Sequence, residues 1–287
     1  HKKRLLIIVI ISKIFNAVFF KLTPSFTDTF SFLFYQLTTH FATFVEKYRC
    51  TSFHSAVNLK QSIPTNDFLK KGVISMVTPK QQTYENLAES LIEAFNRRGI
   101  EGYYCADKEE ALTTALRFLT PGCSVSWGGS MSCTEIGLFD ALKTSDCILY
   151  DRSTAKTPEE QRELYAKTVT ADYYFMSSNA VTLDGELVNI DGNGNRVACL
   201  ITGPKNVILI VGMNKIVPDV KSGFDRVRNM AAPPNGVRLG LSTPCSKYGK
   251  CHDCYSPDCM CCELVVTRKS RIPGRIKVIL VGEELGY

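Results

Sequence analysis

From Met76 onward the chain alternates amphipathic stretches with short apolar runs, and that alternation predicts the elements in order. Residues 80–98 place Leu87, Leu91, Ile92 and Phe95 on one helical face, and Gly99 stands where the helix must stop. Asp107 with Glu110 reads as the start of a second helix, striped by Ala111, Leu112, Ala115, Leu116 and Leu119. Pro121-Gly122 turns into a short apolar strand, Ser124 to Trp127, which empties through Gly128, Gly129 and Ser130 into a helix expected over 132–142. The run 146–151 suits a buried parallel strand, and Thr157, Pro158 and Glu160 open another helix. A strand over 172–177 ends in Ser177, Ser178 and Asn179. Residues 181–197 then carry Asp-Gly and Asn-Gly turns between short strands, a hairpin signature. The most strongly β-like segment is 206–212. Pro218 opens a helix with Val220, Phe224 and Val227 at helical spacing, and 275–282 supplies a last strand. Strands alternating with helices predict an α/β fold built on a mostly parallel, doubly wound sheet. No internal repeat is present.

Composition separates the first 75 residues from the rest. They hold ten Lys and Arg against three Asp and Glu, whereas residues 76–287 hold 24 against 25. The overall charge of +6 therefore gives no footing for nucleic-acid binding, because the globular part is near neutral. One of 19 Gly and 11 of 16 Phe precede Met76, a contrast too large for one fold. The opening stretch has a basic start and an apolar run like a signal peptide or anchor, but Lys13 interrupts it and no small-residue cleavage site follows. Residues 1–75 are accordingly expected to lie outside the functional domain, as upstream sequence, with an anchor through residues 5–20 as the second reading. No membrane association is expected of residues 76–287, and the compartment expected is the cytoplasm.

Twelve cysteines sharpen the picture. Six fall between Cys245 and Cys262, with spacing Cys245-x5-Cys251-x2-Cys254-x4-Cys259-x-Cys261-Cys262. A C-x2-C pair lets two thiolates reach one ion from a tight loop, and flanking cysteines complete a tetrathiolate. Zinc and an iron–sulfur cluster both accept four thiolates, so the spacing leaves both open, beside a plain redox cluster of thiols. His252 is read as a bystander. The remaining cysteines are expected mostly as reduced core thiols.

A strand that empties through glycines into a helix is a common anion or cofactor site, which makes Gly128, Gly129, Ser130 and Ser132 candidate ligand contacts. Ser132-x-x-Glu135 has the form of a capping box. A carboxylate one turn from a glycine loop also has the chemistry of a nucleophile or general base, so Glu135 is the candidate catalytic residue. Gly212, Asn214 and Lys215 follow the strongest strand, and Asn179 follows 172–177. Ligands in open α/β sheets bind beyond the carboxyl ends of strands, so these four join the candidate ligand set. Asp184, Asp191 and Asn193 read as turn residues. No P-loop, zinc-protease, nucleophile-elbow or complete G-x-G-x-x-G pattern occurs.

Together, WGGSMSCTEIGL, SSNAVTLDGELVNIDGNGNRV, GPKNVILIVGMNKIV, VRNMAAPPN and RIKVILVGEELG resemble the LUD-domain (lactate-utilisation) family over nearly all of residues 76–287. The resemblance implies a Rossmann-like sheet akin to the sugar-phosphate isomerase and CoA-transferase group. It also implies a stand-alone subgroup whose cysteine-rich C-terminal loop matches Cys245, Cys251, Cys254 and Cys261, leaving Cys259 and Cys262 as extras. Three functions stay open. The first is an accessory or electron-transfer-linked component of lactate (2-hydroxy acid) utilisation, binding a small anionic ligand and working with iron–sulfur oxidoreductase proteins. The second is an isomerase- or CoA-transferase-like enzyme with structural zinc, and the third a non-catalytic small-molecule-binding regulator.

Overall fold

The computed structural model describes residues 78–287; the expectations for residues 1–75 lie outside them. A six-stranded parallel sheet forms the core. Its strands are β1 (Glu101–Cys105), β2 (Ser124–Trp127), β3 (Ile148–Tyr150), β4 (Tyr173–Met176), β7 (Asn206–Gly212) and β10 (Ile276–Val281), in the spatial order β1-β10-β7-β4-β2-β3. Strand β7 shows why such a sheet needs helices on both faces. Its Val207, Leu209 and Val211 belong to one apolar cluster, with Tyr174, Met176, Val278 and Leu280, and its Ile208 and Ile210 belong to the other, with Phe175, Ile279 and Val281. Both sets are almost wholly buried, so the run shows no alternation of apolar and polar residues in sequence.

Helix α1 (Pro79–Arg97) covers the first face with Ala88, Leu91 and Phe95, joined by α6 (Asn195–Ile201) through Cys199 and Leu200. Helices α2 (Lys108–Arg117) and α4 (Leu138–Lys143) cover the second with Ala111, Ala115, Leu138 and Leu142. Local signals set the starts of these helices. Thr78 and Gln81 form a capping box on α1, Asp107 caps α2, and Thr157 with Glu160 boxes α5 (Pro158–Val169).

A second, four-stranded sheet sits beside the first, in the order β8-β5-β6-β9. It comprises β5 (Ala180–Thr182), β6 (Leu187–Asp191), β8 (Ile216–Val217) and β9 (Glu263–Thr267). The Asp184-Gly185 hairpin is as predicted, β5 running antiparallel to β6. The second predicted turn differs: Gly194, in the left-handed conformation, leads into α6 rather than into a strand. The helix after Pro218 is α7 (Val220–Arg226), capped by Asp219 one residue later than predicted. A π-helical turn (Val227–Ala231) carries it into α8 (Ala232–Arg238), and α9 (Pro244–Tyr248) follows. The strand expected over 146–151 is parallel but lies at the sheet edge, with Ile148 exposed.

Of the eleven described cysteines, Cys105, Cys123, Cys133 and Cys199 are buried as the sequence leads one to expect, and none is disulfide-bonded. Between Gly249 and Cys262 the chain forms neither helix nor strand. Among the described residues no helix is long and apolar enough to cross a membrane.

Candidate functional site

Because the core strands are parallel, the segments leaving β2, β4, β7 and β10 emerge at one edge of the sheet, and a cavity of about 350 Å³ opens there. Gly129 and Ser130 reach it from β2, Ser177 to Asn179 from β4, Lys215 from β7, and Gly286 and Tyr287 from β10. The smaller sheet contributes Asp191 and, through α6, Arg196. Arg152 and Arg238 complete the wall. Four cations against the single carboxylate of Asp191 make the cavity electropositive.

Lys215 is its most unusual member. The side chain is 4% exposed, and its ammonium donates to Ser132 Oγ at 2.8 Å and Ser177 Oγ at 3.1 Å. Among the described residues no carboxylate lies within ion-pairing distance of it. Burial first, and the nearby Arg226 guanidinium second, lower its pKa to about 7. An amine desolvated in this way gains charge when an anion arrives.

Arg196 is held by a frame of side chains and carbonyls. Its Nη1 donates to Asn189 Oδ1 at 2.6 Å, its Nη2 to Asn179 Oδ1 at 3.0 Å and to the Ile190 carbonyl at 2.7 Å, and its Nε lies 3.5 Å from Asp191 Oδ2. Asn179 Oδ1 also accepts from Ile190 N at 3.0 Å, which pins the β4 loop to β6. Arg226 donates to the main-chain oxygens of Asn179 and Asn214. Neutral acceptors set most of both guanidinium planes, with the Asp191 carboxylate as the one charged side-chain partner of Arg196, so a ligand meets pre-oriented positive charge.

The glycine loop serves close approach. Neither Gly128 nor Gly129 has positive φ, but a Cβ on Gly128 would lie 2.9 Å from the Tyr174 hydroxyl, and one on Gly129 would lie 2.7 Å from Arg152 Nη2. The helix after the loop departs from expectation. Ser130, not Ser132, is the cap, accepting from Cys133 N at 3.3 Å, and the helix breaks at Gly137 into α3 (Met131–Glu135) and α4. Ser132 sits inside α3, buried, where its hydroxyl serves Lys215. Glu135 is freed from the predicted box and instead accepts from Gly286 N at 2.8 Å. The box fails because the chain turns helical two residues earlier, at the first hydroxyl after the glycines. A five-residue helix has little dipole, so the positive potential comes from the side chains.

Of the residues singled out in the sequence, Gly129, Ser130, Asn179 and Lys215 line the cavity. Gly128 and Ser132 stand directly behind it. Gly212 and Asn214 support it from further back: Asn214 Oδ1 accepts from Leu285 N at 3.1 Å, and a Cβ on Gly212 would lie 2.6 Å from the same nitrogen. Arg152, Arg196, Arg226 and Ser177 escape a reading of the sequence, since an arginine in a helix or polar loop has no periodic signature. Asp191, read as a turn residue, both lines the cavity and pairs with Arg196.

The six clustered cysteines line a second cavity, of about 480 Å³, with Arg228, His252 and Asp253. The thiols surround it without converging: among the described residues, no three His, Cys, Asp or Glu side chains gather closely enough for one ion. Burial, then the neighbouring thiols of Cys259, Cys251 and Cys245, push the Cys261 thiol up to about 12. Arg228 Nε is buried here with no hydrogen-bond acceptor among the described residues. Soft donors around an orphaned N–H fit an anionic metal–thiolate centre, which would supply that acceptor.

These features define an α/β protein of Rossmann-like type with an anion-receptive cavity at the carboxyl edge of its parallel sheet. A model of the LUD domain matches residues 88–281, and the chain belongs to that family. It is a lactate-utilisation-related protein in the general sense that membership carries. Among solved structures, a DUF162 family protein from Deinococcus radiodurans is 16% identical, with a TM-score of 0.40 over 70% of this chain and 98% of that one. The delta subunit of eIF2B from Chaetomium thermophilum is 14% identical, with a TM-score of 0.27 over 49% of this chain and 54% of that one. A comparison with curated proteins finds no match.

Proposed function

We propose that this protein is an accessory or electron-transfer-linked component of lactate utilisation, binding a small 2-hydroxy or 2-oxo carboxylate beside a thiolate-held metal or iron–sulfur centre. The observation that carries the reading is Lys215, a buried amine with no described carboxylate partner in a cavity also lined by Arg196 and Arg152. A compact carboxylate satisfies all of them, with Ser130, Ser177 and Asn179 left to recognise the adjacent oxygen. The centre, held by Cys245, Cys251, Cys254 and Cys261 or by a set that includes Cys259 and Cys262, would supply one-electron chemistry if it is a cluster and a rigid fold if it is zinc. Its working partners would be iron–sulfur oxidoreductase proteins, and its setting the cytoplasm, where free thiols persist.

The experiment is anaerobic purification with metal analysis, followed by calorimetric titration of L-lactate and pyruvate. A brown protein that binds one carboxylate supports the reading. A metal-free protein indifferent to both acids overturns it. A second reading, an isomerase- or CoA-transferase-like enzyme, draws on the near-neutral Lys215 amine as its acid–base group. Glu135 serves that reading poorly, since its carboxylate is bound to the Gly286 N–H. Turnover of a sugar phosphate or CoA ester that Lys215→Met abolishes would favour it.

A further inference from the structure

The two cavities share a wall. Met260 and Cys261 line both, as does Ala232. On the anion side, Met260 packs against Gly192, whose Cβ would lie 3.4 Å from the Met260 Cα, and Met260 Sδ accepts from Asn235 Nδ2 at 3.2 Å. Cys262 N donates to the Asp191 carbonyl at 3.1 Å, and the Asp191 carboxylate stands by Arg196. One short segment, residues 260–262, thus carries three bonds or contacts to the anion cavity and two of the six thiols.

From this juxtaposition we infer that metal occupancy of the cysteine cavity and carboxylate binding in the Lys215–Arg196 cavity are coupled through the Asp191–Met260–Cys261 wall. The inference rests on the proposed function for the identities of the two ligands. Its physical basis is separate. A tetrathiolate ion needs its sulfurs about 2.3 Å away, and the thiols here ring the cavity without gathering on one point. Drawing them in requires the 249–262 segment to close, and Met260 and Cys261 of the wall lie on that segment, with Asp191 bonded to it through Cys262 N. Closure displaces Met260 relative to Gly192 and Asn235, and strains or relaxes the Asp191 carbonyl bond that sits next to the Arg196 anchor. A difference in anion affinity between the open and closed wall is what couples the sites, and the coupling is reciprocal. The π-helical turn and α8 also border both cavities, with Arg228 and Ala232 on the cysteine side and Val227, Ala231, Ala232 and Asn235 on the anion side, but they carry none of the six thiols.

The test uses the full chain, stripped with a chelator under reducing conditions and then titrated with zinc. Three quantities are read: zinc bound per chain, amide hydrogen exchange over residues 190–197 and 227–238, and the Kd for pyruvate with and without zinc. The expected result is tight zinc binding, slowed exchange across the anion-cavity residues, and a change in pyruvate Kd on the order of fivefold or more. In Met260→Ala, zinc stoichiometry holds while both responses shrink. Zinc binding that leaves exchange and Kd untouched overturns the coupling, and so does failure to bind zinc at all. Zinc-dependent protection of residues 190–197 in a protein that ignores pyruvate upholds the coupling and moves the failure to the ligand assigned under the proposed function.

Discussion

Lys215 Nζ stands 2.8 Å from Ser132 Oγ, two residues 83 positions apart in the chain, and no described carboxylate pairs with the ammonium. The hydroxyl is the first buried group of a one-turn helix, and the amine ends the tight turn after the longest core strand. Both hold their positions because β2 and β7 leave the same edge of the parallel sheet. The pair leaves a cation in a dry place and makes it available to a ligand.

Lys215→Met should stabilise the protein. The ammonium is buried with only hydroxyl partners, so removing it relieves desolvation. The pH dependence has a definite sign. Below about 7 the amine is protonated in both states and the cost of burying it is full. Between about 7 and the ordinary lysine value of 10.5 the unfolded chain binds more protons, so this contribution to stability rises with pH. Urea midpoints of wild type minus variant, taken from pH 6 to 10, should climb across that window. A flat difference would contradict the burial argument.

Arg196→Gln should cost about 2–4 kcal/mol, because Asn189, Asn179 and the Ile190 carbonyl lose a charged donor while staying buried. Arg196→Lys should recover less than half, since one ammonium cannot span acceptors that the guanidinium meets with three nitrogens. Denaturant unfolding of the three proteins decides it; equal stability of the lysine variant and wild type would show that the fork geometry is unimportant.

The two glycines should separate stability from binding. Gly129→Ala meets the mobile end of Arg152 and should cost less than about 1 kcal/mol while weakening carboxylate binding, because the guanidinium is pushed aside. Gly128→Ala meets the hydroxyl of the buried Tyr174 ring, which has no room to yield, and should cost about 1–3 kcal/mol. Thermal melts and pyruvate titrations on both variants give the comparison, and a reversed order would show the loop to be softer than its packing implies.

Much of this fold was readable in advance, and the residues show why. Thr157-Pro158 with Glu160 and Asp107 with its following turn carry their capping chemistry within four positions, so local reasoning finds them. The apolar run of β7 announces a strand buried on both faces. What escaped depends on distance. Strand β9 forms because Glu263 to Thr267 pair with Asp191 to Leu187, far back in the chain, and three of its five residues are exposed, so its pattern is faint. Ser132-x-x-Glu135 has the letters of a capping box, yet Ser130 takes the cap and the Gly286 N–H takes the carboxylate, neither of which the four-residue motif encodes. The cavity's cations were half legible: Lys215 follows a strand end, where ligands are expected, while Arg196 enters from α6, the helix that follows β6 of the second sheet.

Glu135→Gln should leave ligand binding unchanged. The side chain accepts one backbone hydrogen bond and does not line the cavity, and an amide oxygen keeps that bond at a loss of about 0.5–1.5 kcal/mol. A carboxylate titration on the variant checks it, and a loss of affinity above tenfold would return Glu135 to the ligand site.

The central claim is that Lys215 supplies charge to a bound carboxylate. Calorimetric titration of pyruvate into wild type and Lys215→Met at pH 6.5 measures it directly. Saturable binding to the wild type, weakened tenfold or more in a variant that melts no lower, is the result expected. Equal affinity in the two proteins would contradict it.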